Sequence, residues 1–165
     1  MATIDQFKAN LIGGGPRANR FKVFIPRTGN KIEFLCRAAS LPGSSFSDIA
    51  IKHMGNTLKL PGDRTFEDWT VSILNDINFE VRNGLEAHMN EIAGTSDSRG
   101  STTLDYMVDR AFVEQLDKSD SVLARYEFFN MYPKSIAPIT LDYEQSEGLE
   151  TYDAVFAFSH WERVI

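Results

Sequence analysis

The densest grouping of charge in the chain lies at Asp63, Arg64, Glu67 and Asp68, immediately before Trp69. A guanidinium offers a planar fork of donors that matches carboxylates. The spacing therefore predicts a salt-bridged turn, with Pro61-Gly62 as its bend. Crowded carboxylates also suit a metal ion or acid–base chemistry, but His53 is the only His or Cys nearby and Arg64 competes for the negative charge. The group reads as a structural ion cluster. A second acidic group, Asp142, Glu144, Glu147, Glu150 and Asp153, lacks the ligand order of a calcium loop and reads as a solvated acidic face. His53, His88 and His160 stand far apart, with no H-x-x-x-H spacing, and read as surface or packing residues. Cys36 is the single cysteine and sits in the middle of a predicted strand rather than at a turn or helix start, so it reads as a buried, inert thiol. Alone, it forms no internal disulfide or Cys-based zinc site, and it suits a reducing cytoplasm. Gly13-Gly14-Gly15-Pro16 has no strand before it and no Gly-Lys-Ser/Thr after it, so it is a connector, not a phosphate loop. With no G-x-S-x-G either, neither catalysis nor a cofactor is expected.

The elements that hold these residues are mostly strands. Trp69, Val71 and Ile73 alternate with Thr70, Ser72 and Leu74, the pattern of a half-buried strand over Glu67–Leu74. Before it, Thr3 to Ala9 reads as a short helix capped by Thr3, within a flexible segment over 1–19. Phe21 to Pro26 and Lys31 to Ala39 read as a hairpin around Thr28-Gly29-Asn30. Ser47 to Met54 and Asn56 to Leu60 read as a second hairpin hinged near Gly55, with Ile49 and Ile51 facing inward. Val81, Leu85, Met89 and Ile92 then mark an amphipathic helix over 78–93, started by Asp76 or Asn78 and stopped by Gly94. Thr95 to Thr103 is a polar loop. A hairpin pairs 110–117 with 121–132, chosen over a helical reading of Leu104 to Leu116. Pro133 and Pro138 bound a loop, Ile139 to Tyr143 is a short strand, and Glu144 to Gly148 a turn. A last strand runs from Leu149 to Trp161. Seven or eight strands and one firm helix predict a mainly β, antiparallel sandwich or barrel with one packed α-helix.

The totals agree. A length of 165 residues suits one domain, here 1–165. Twelve Phe and five Tyr lean towards β structure, and no apolar run is long enough to cross a membrane as a helix. The N-terminus lacks the apolar core of a secretory signal. The net charge of −6 argues against a general nucleic-acid binder. Residues 1–64 hold ten Lys/Arg against four Asp/Glu, whereas 65–165 hold seven against nineteen. Either chance scatter over a solvated surface or oppositely charged faces suited to head-to-tail contacts accounts for that asymmetry.

The stretch Gly62-Asp63-Arg64-Thr65-Phe66-Glu67-Asp68-Trp69-Thr70-Val71, followed by Asn75-Asp76, resembles the central segment of the tail tube proteins of contractile-tailed bacteriophages. The flanks match in order: Arg20-Phe21-Lys22-Val23, Phe34 to Pro42, Asn130-Met131-Tyr132-Pro133-Lys134, Leu141-Asp142-Tyr143 and Ala157 to Glu162. The resemblance spans residues 16–162. It implies hexameric rings in which strands from every subunit close one shared inner β-barrel, stacked into a hollow tube in the virion tail and assembled in the host cytoplasm. Implied partners are further copies of the chain, a sheath protein, a tape-measure protein, a baseplate tube initiator and a tail terminator. DNA would pass through the lumen without sequence-specific binding, and no membrane is involved. The resemblance also suggests that Asp63, Arg64, Glu67, Asp68 and Trp69 serve a subunit or ring junction. Asp142, Glu144, Glu147, Glu150 and Asp153 would then supply an acidic lumen or interface. Related roles are the baseplate-proximal tube initiator and the tube of bacterial contractile injection systems. A monomeric β-sandwich binding module is the alternative from another class.

Overall fold

A computed structural model describes residues 3–145 and 147–165. Ten strands form two four-stranded antiparallel sheets and one two-stranded arm. The chain opens with α1 (Ile4–Asn10), where Thr3 and Gln6 close a reciprocal capping box, and a 3₁₀ turn at Ile12–Gly14. Strand β1 (Phe21–Phe24) leads through a helical turn, α2 (Ile32–Leu35), into β2 (Cys36–Ala39). The arm is β3 (Ser45–His53) with β4 (Asn56–Thr65). After it come β5 (Trp69–Leu74), α3 (Glu80–Ile92), β6 (Ala111–Leu116), β7 (Val122–Phe129), β8 (Tyr132–Ile136), β9 (Thr151–Ala157) and β10 (His160–Arg163). The sheets are ordered β1-β6-β7-β10 and β2-β5-β9-β8.

The alternation read in β5 is the alternation found: Trp69, Val71 and Ile73 are buried and Thr70 is exposed. Their inward partners come from both sheets, Val23, Ala111, Val113 and Phe128 from one, and Tyr152, Ala154 and Phe156 from the other. Trp69 stacks on Phe128 with ring centroids 4.5 Å apart, joining the sheets across the core. Helix α3 adds Val81 and Leu85. Its first turn is served by Asp76, whose carboxylate accepts from the Glu80 amide at 3.0 Å; Asn78 does not cap it, and Ala93 rather than Gly94 ends it. Tyr152 lies under the Arg82 guanidinium, 5.0 Å from its ring centroid, and burial raises its phenol to about 12.

Several expectations are corrected. Phe21–Pro26 and Lys31–Ala39 do not pair: β1 joins β6 and β2 joins β5, in different sheets. Alternation shows which face a residue takes but not which strand lies beside it. Pro61-Gly62 is no turn; it lies within β4, and a bulge between Phe46 and Asp48 faces it. A Cβ on Gly62 would collide with the Ser47 side chain and stand 3.1 Å from its carbonyl, so this strand needs glycine for close approach. Ile49 and Ile51 do not face a core: both are about half exposed, at 51% and 47%. The segment between Pro133 and Pro138 is mostly strand β8, at a sheet edge where a proline costs no ladder bond. Ile139–Tyr143 forms no strand, and Leu149–Trp161 is divided into β9 and β10 at Phe158-Ser159, where the chain passes from one sheet to the other. The predicted turn at Glu144–Gly148 includes Ser146, which lies outside the described residues, as do Met1 and Ala2.

Two buried contacts fix α3 and the long loop after it. A Cβ on Gly84 would stand 2.8 Å from the Arg27 carbonyl and 3.1 Å from the Thr28 Cα, so backbone packs directly on the helix. His88 is 5% exposed, and its Nε2 bonds the Tyr106 carbonyl. Arg27 bonds the neighbouring Asp105 carbonyl at 2.7 Å and pairs with Glu91 on the same helix. Burial is the main cause that lowers the His88 pKa below its ordinary 6.5, with the nearby Arg27 charge acting in the same direction.

Alanine in place of Gly84 gains about 1 kcal/mol of helix propensity but overpacks against rigid backbone, which costs about 1–3 kcal/mol. Gly84→Ala is therefore expected to lower the urea midpoint, and a midpoint at or above wild type would show that the 27–28 turn yields. For His88, the unfolded chain takes up its proton near pH 6.5 and the folded chain only below that. Stability is then full above pH 6.5 and falls as the pH drops towards the folded pKa. Urea titrations at stepwise pH should show that loss in wild type and a weaker one in His88→Gln; equal slopes would remove His88 from the account.

Candidate assembly surfaces

The residues singled out by charge do not come together as one cluster. Arg64 stands near the root of the arm with its guanidinium 4.8 Å from the centroid of the Phe46 ring, a cation–π contact with its cross-strand partner. Asp68, beyond the end of β4, bonds Lys134 of β8 at 2.5 Å, and this bond is the main cause that raises the lysine pKa. Among the described residues, neither Asp63 nor Glu67 lies within ion-pair distance of Arg64. Trp69 is core. The acidic group is likewise divided: Asp142, Glu144 and Glu147 are exposed on the loop between β8 and β9, Glu150 accepts from the Asn75 amide group at 2.7 Å, and Asp153 stands outward on β9. No three His, Cys, Asp or Glu side chains among the described residues converge as a metal site. Burial pushes the Cys36 thiol up to about 11, which keeps it neutral and a poor nucleophile. His53 is exposed on the arm, and His160 stacks on Phe129 at 4.7 Å.

The structure brings together apolar surface and strand edges instead. On the arm, Ile49 opposes Leu60 and Ile51 opposes Leu58, so one face is an apolar strip, and Lys52, Asp48 and Lys59 occupy the other. The β-turn between them takes positive φ at Met54 and Gly55, 48° and 82°, the geometry that matches strand twist. Aromatic side chains fix the root. Trp69 donates its indole N–H to the Ser40 carbonyl at 2.8 Å, Trp161 donates to Gly43 at 3.1 Å, and Phe66 packs between Phe158 and Trp161. Each sheet ends in short strands with an unpaired side, β1 and β10 in one, β2 and β8 in the other.

The outward faces of the two sheets differ. On β2-β5-β9-β8 the central outward rungs, Ala38–Ser72–Asp153 and Thr70–Val155–Ser135, are small or short, with Leu74–Thr151 and Ala157–Tyr132 to either side. On β1-β6-β7-β10 the rungs include Lys22–Glu114–Arg125 and Phe24–Phe112–Glu127. There Phe24 stacks on Phe112 at 5.2 Å, and the Arg125 guanidinium lies 4.4 Å from the Phe112 centroid. Arg125 also binds Glu114, which is only 3% exposed. The sequence reading missed this pair; the signal was a carboxylate in mid-strand, legible only once the β6–β7 register is known.

Comparison with known proteins gives this architecture a family. The tail tube protein gp19 of Enterobacteria phage T4 is 26% identical over 159 residues, covering 96% of this chain and 98% of that protein. The tail tube protein of Serratia phage KSP90 is 26% identical over 86% of each chain. Among solved structures, a chain from the extended sheath–tube complex of the extracellular contractile injection system PVC superposes with a TM-score of 0.66 at 14% identity, over 99% of this chain and 98% of that one. A chain from the baseplate of the anti-feeding prophage gives 0.69 at 8% identity, over 91% and 95%. The model of the phage tail tube protein family matches residues 7–164, and the chain belongs to that family.

Proposed function

We propose that this chain is the repeating subunit of the inner tube of a contractile phage tail, closing into six-fold rings that stack into a hollow conduit. The observation that carries the reading is the open edge that the described residues leave at both ends of each sheet, beside an arm whose apolar strip is about half exposed. Unpaired edges invite pairing with another chain, and joining them around a ring removes them. A contact between different patches generates a ring when its rotation closes and a filament when it does not.

The sheet β2-β5-β9-β8 suits the wall of the bore. Its central outward rungs, Ala38–Ser72–Asp153 and Thr70–Val155–Ser135, carry no aromatic or cationic side chain, Tyr132 standing at the edge opposite Ala157, and Asp153 places negative charge where passing phosphates would otherwise adhere. The bulkier face of the other sheet suits contact with protein. A sheath outside, a tape-measure protein and then DNA inside, an initiator at the baseplate and a terminator at the far end complete the assembly. The sheath–tube complex in which a similar fold was solved supports that arrangement. The site of action is then the tail of the virion.

Negative-stain and cryo-electron microscopy of the concentrated protein, with and without a baseplate nucleus, tests this directly. Hollow tubes or six-fold rings are expected, with Asp153 on the bore wall in the reconstruction. Persistent monomers in the presence of the nucleus would overturn the reading, and Asp153 on the outer wall would overturn the choice of sheet.

Arg64, near the root of the arm, is assigned to a junction between copies. Arg64→Ala is expected to reduce tube yield several-fold while shifting the unfolding free energy by no more than about 0.5 kcal/mol, as for other surface changes. Tubes at wild-type yield would remove Arg64 from the junction.

A further inference from the structure

We infer that the loop between β8 and β9 of one copy inserts into the cleft beside the β6–β7 turn of a second copy; this contact rests on the tube reading. The cleft encloses about 360 Å³, and its apolar lining comes chiefly from Ile12, Pro16, Leu116 and Leu123. Arg17, Arg20 and Lys118 stand on its rim. The acids beside them are already engaged. Asp120 holds Arg20 at 2.8 Å, and the Asp117 carboxylate accepts from the Ser119 amide at 2.7 Å and the Ser121 amide at 2.9 Å. Arg17 and Lys118 make no ion pair among the described residues. The cleft thus offers apolar depth and spare positive charge.

The loop has the opposite character. Residues 137–150 contain Asp142, Glu144, Glu147 and Glu150 and no Lys or Arg. Leu141, Tyr143 and Leu149 are fully or largely exposed, at 77%, 107% and 79%. Among the described residues these side chains are left uncovered among carboxylates, and no residue of the loop lines the cleft of its own chain. A tyrosine in an apolar pocket, ringed by opposite charges, is a common anchor of protein interfaces. Loop and cleft are different patches on one surface, so their contact is heterologous and propagates from copy to copy. Charge complementarity also sets its register and suppresses wrong pairings.

The test uses tubes assembled from the full chain. Cys36 is the only cysteine, so Cys36→Ala provides a thiol-free background. Copies carrying Tyr143→Cys and copies carrying Leu123→Cys are co-assembled and treated with a short bis-maleimide. A cross-linked dimer with one copy of each is expected. In a second arm, Asp142→Lys with Glu144→Lys should lower the assembled fraction about tenfold, and adding Arg17→Glu with Lys118→Glu on the same chain should recover most of it. The melting temperature of the monomer reports folding separately, since all four side chains are exposed. Tubes that form without the cross-link, or a charge exchange that recovers nothing, overturn the contact and leave the tube reading standing. Wild-type protein that forms no tube with the nucleus overturns both.

Discussion

The stack of Trp69 on Phe128 is the contact on which the other surfaces depend. It joins β5 of one sheet to β7 of the other, and it continues outward as a chain of rings. Phe128 meets Phe158 at 4.9 Å, Phe158 meets Phe66, and Phe66 meets Trp161, which meets Tyr126 at 5.3 Å. Aromatic pairs of this kind contribute about 0.5–1.5 kcal/mol each beyond the area they bury. Their geometric effect is larger. The two indole N–H groups, of Trp69 and Trp161, donate to the carbonyls of Ser40 and Gly43, in the connector between β2 and the arm. The direction in which the arm leaves the body is therefore set by the core.

An arm held in this way is poorly explained within a monomer. A two-stranded ribbon is marginal in water on its own, and this one turns Ile49, Ile51, Leu58 and Leu60 to solvent. Helix α1 is comparable: it is well capped, yet Ile4 and Phe7 are exposed and it buries no residue. The sheets end in open edges. Each feature costs stability or solubility in an isolated chain, and on the proposed tube reading each would be relieved by another copy. The chain thus has a well-packed two-sheet core and uncovered margins.

What the sequence revealed followed from local rules. β5, α3 and the arm were legible because alternation, a helical stripe and a glycine hinge are written in neighbouring residues. The false hairpin at 21–39 obeyed the same rules and failed on partner choice. Arg27 at φ 68° and the helical turn at Ile32–Leu35 carry the chain from one sheet to the other, and Ile32 and Phe34 alternate as a strand would. The same blindness hid the corner at Phe158-Ser159. The ion cluster failed for a related reason: nearness in sequence between Arg64 and Glu67 spans the exit from β4, where cross-strand Phe46 and distant Lys134 capture the charges. Residue types named the chemistry of the candidate surfaces, but register decided which of them met.

The charge asymmetry between the two parts of the chain is resolved in the same way. Cations of the first 64 residues reach across to later carboxylates: Arg20 to Asp120, Arg27 to Glu91, and Lys31 to Asp76 and Glu80. Exposed pairs like these add little stability, with a median near zero to about 1 kcal/mol. They do neutralise the imbalance where the chain folds on itself. Charge is left over where it does not: Lys52 and Arg64 on the arm, Arg17 and Lys118 at the cleft, and the carboxylates of the 137–150 loop. Those remnants lie beside the exposed apolar side chains. On the proposed tube reading, uncompensated charge beside uncovered hydrophobic surface would provide both selectivity and affinity for the next copy.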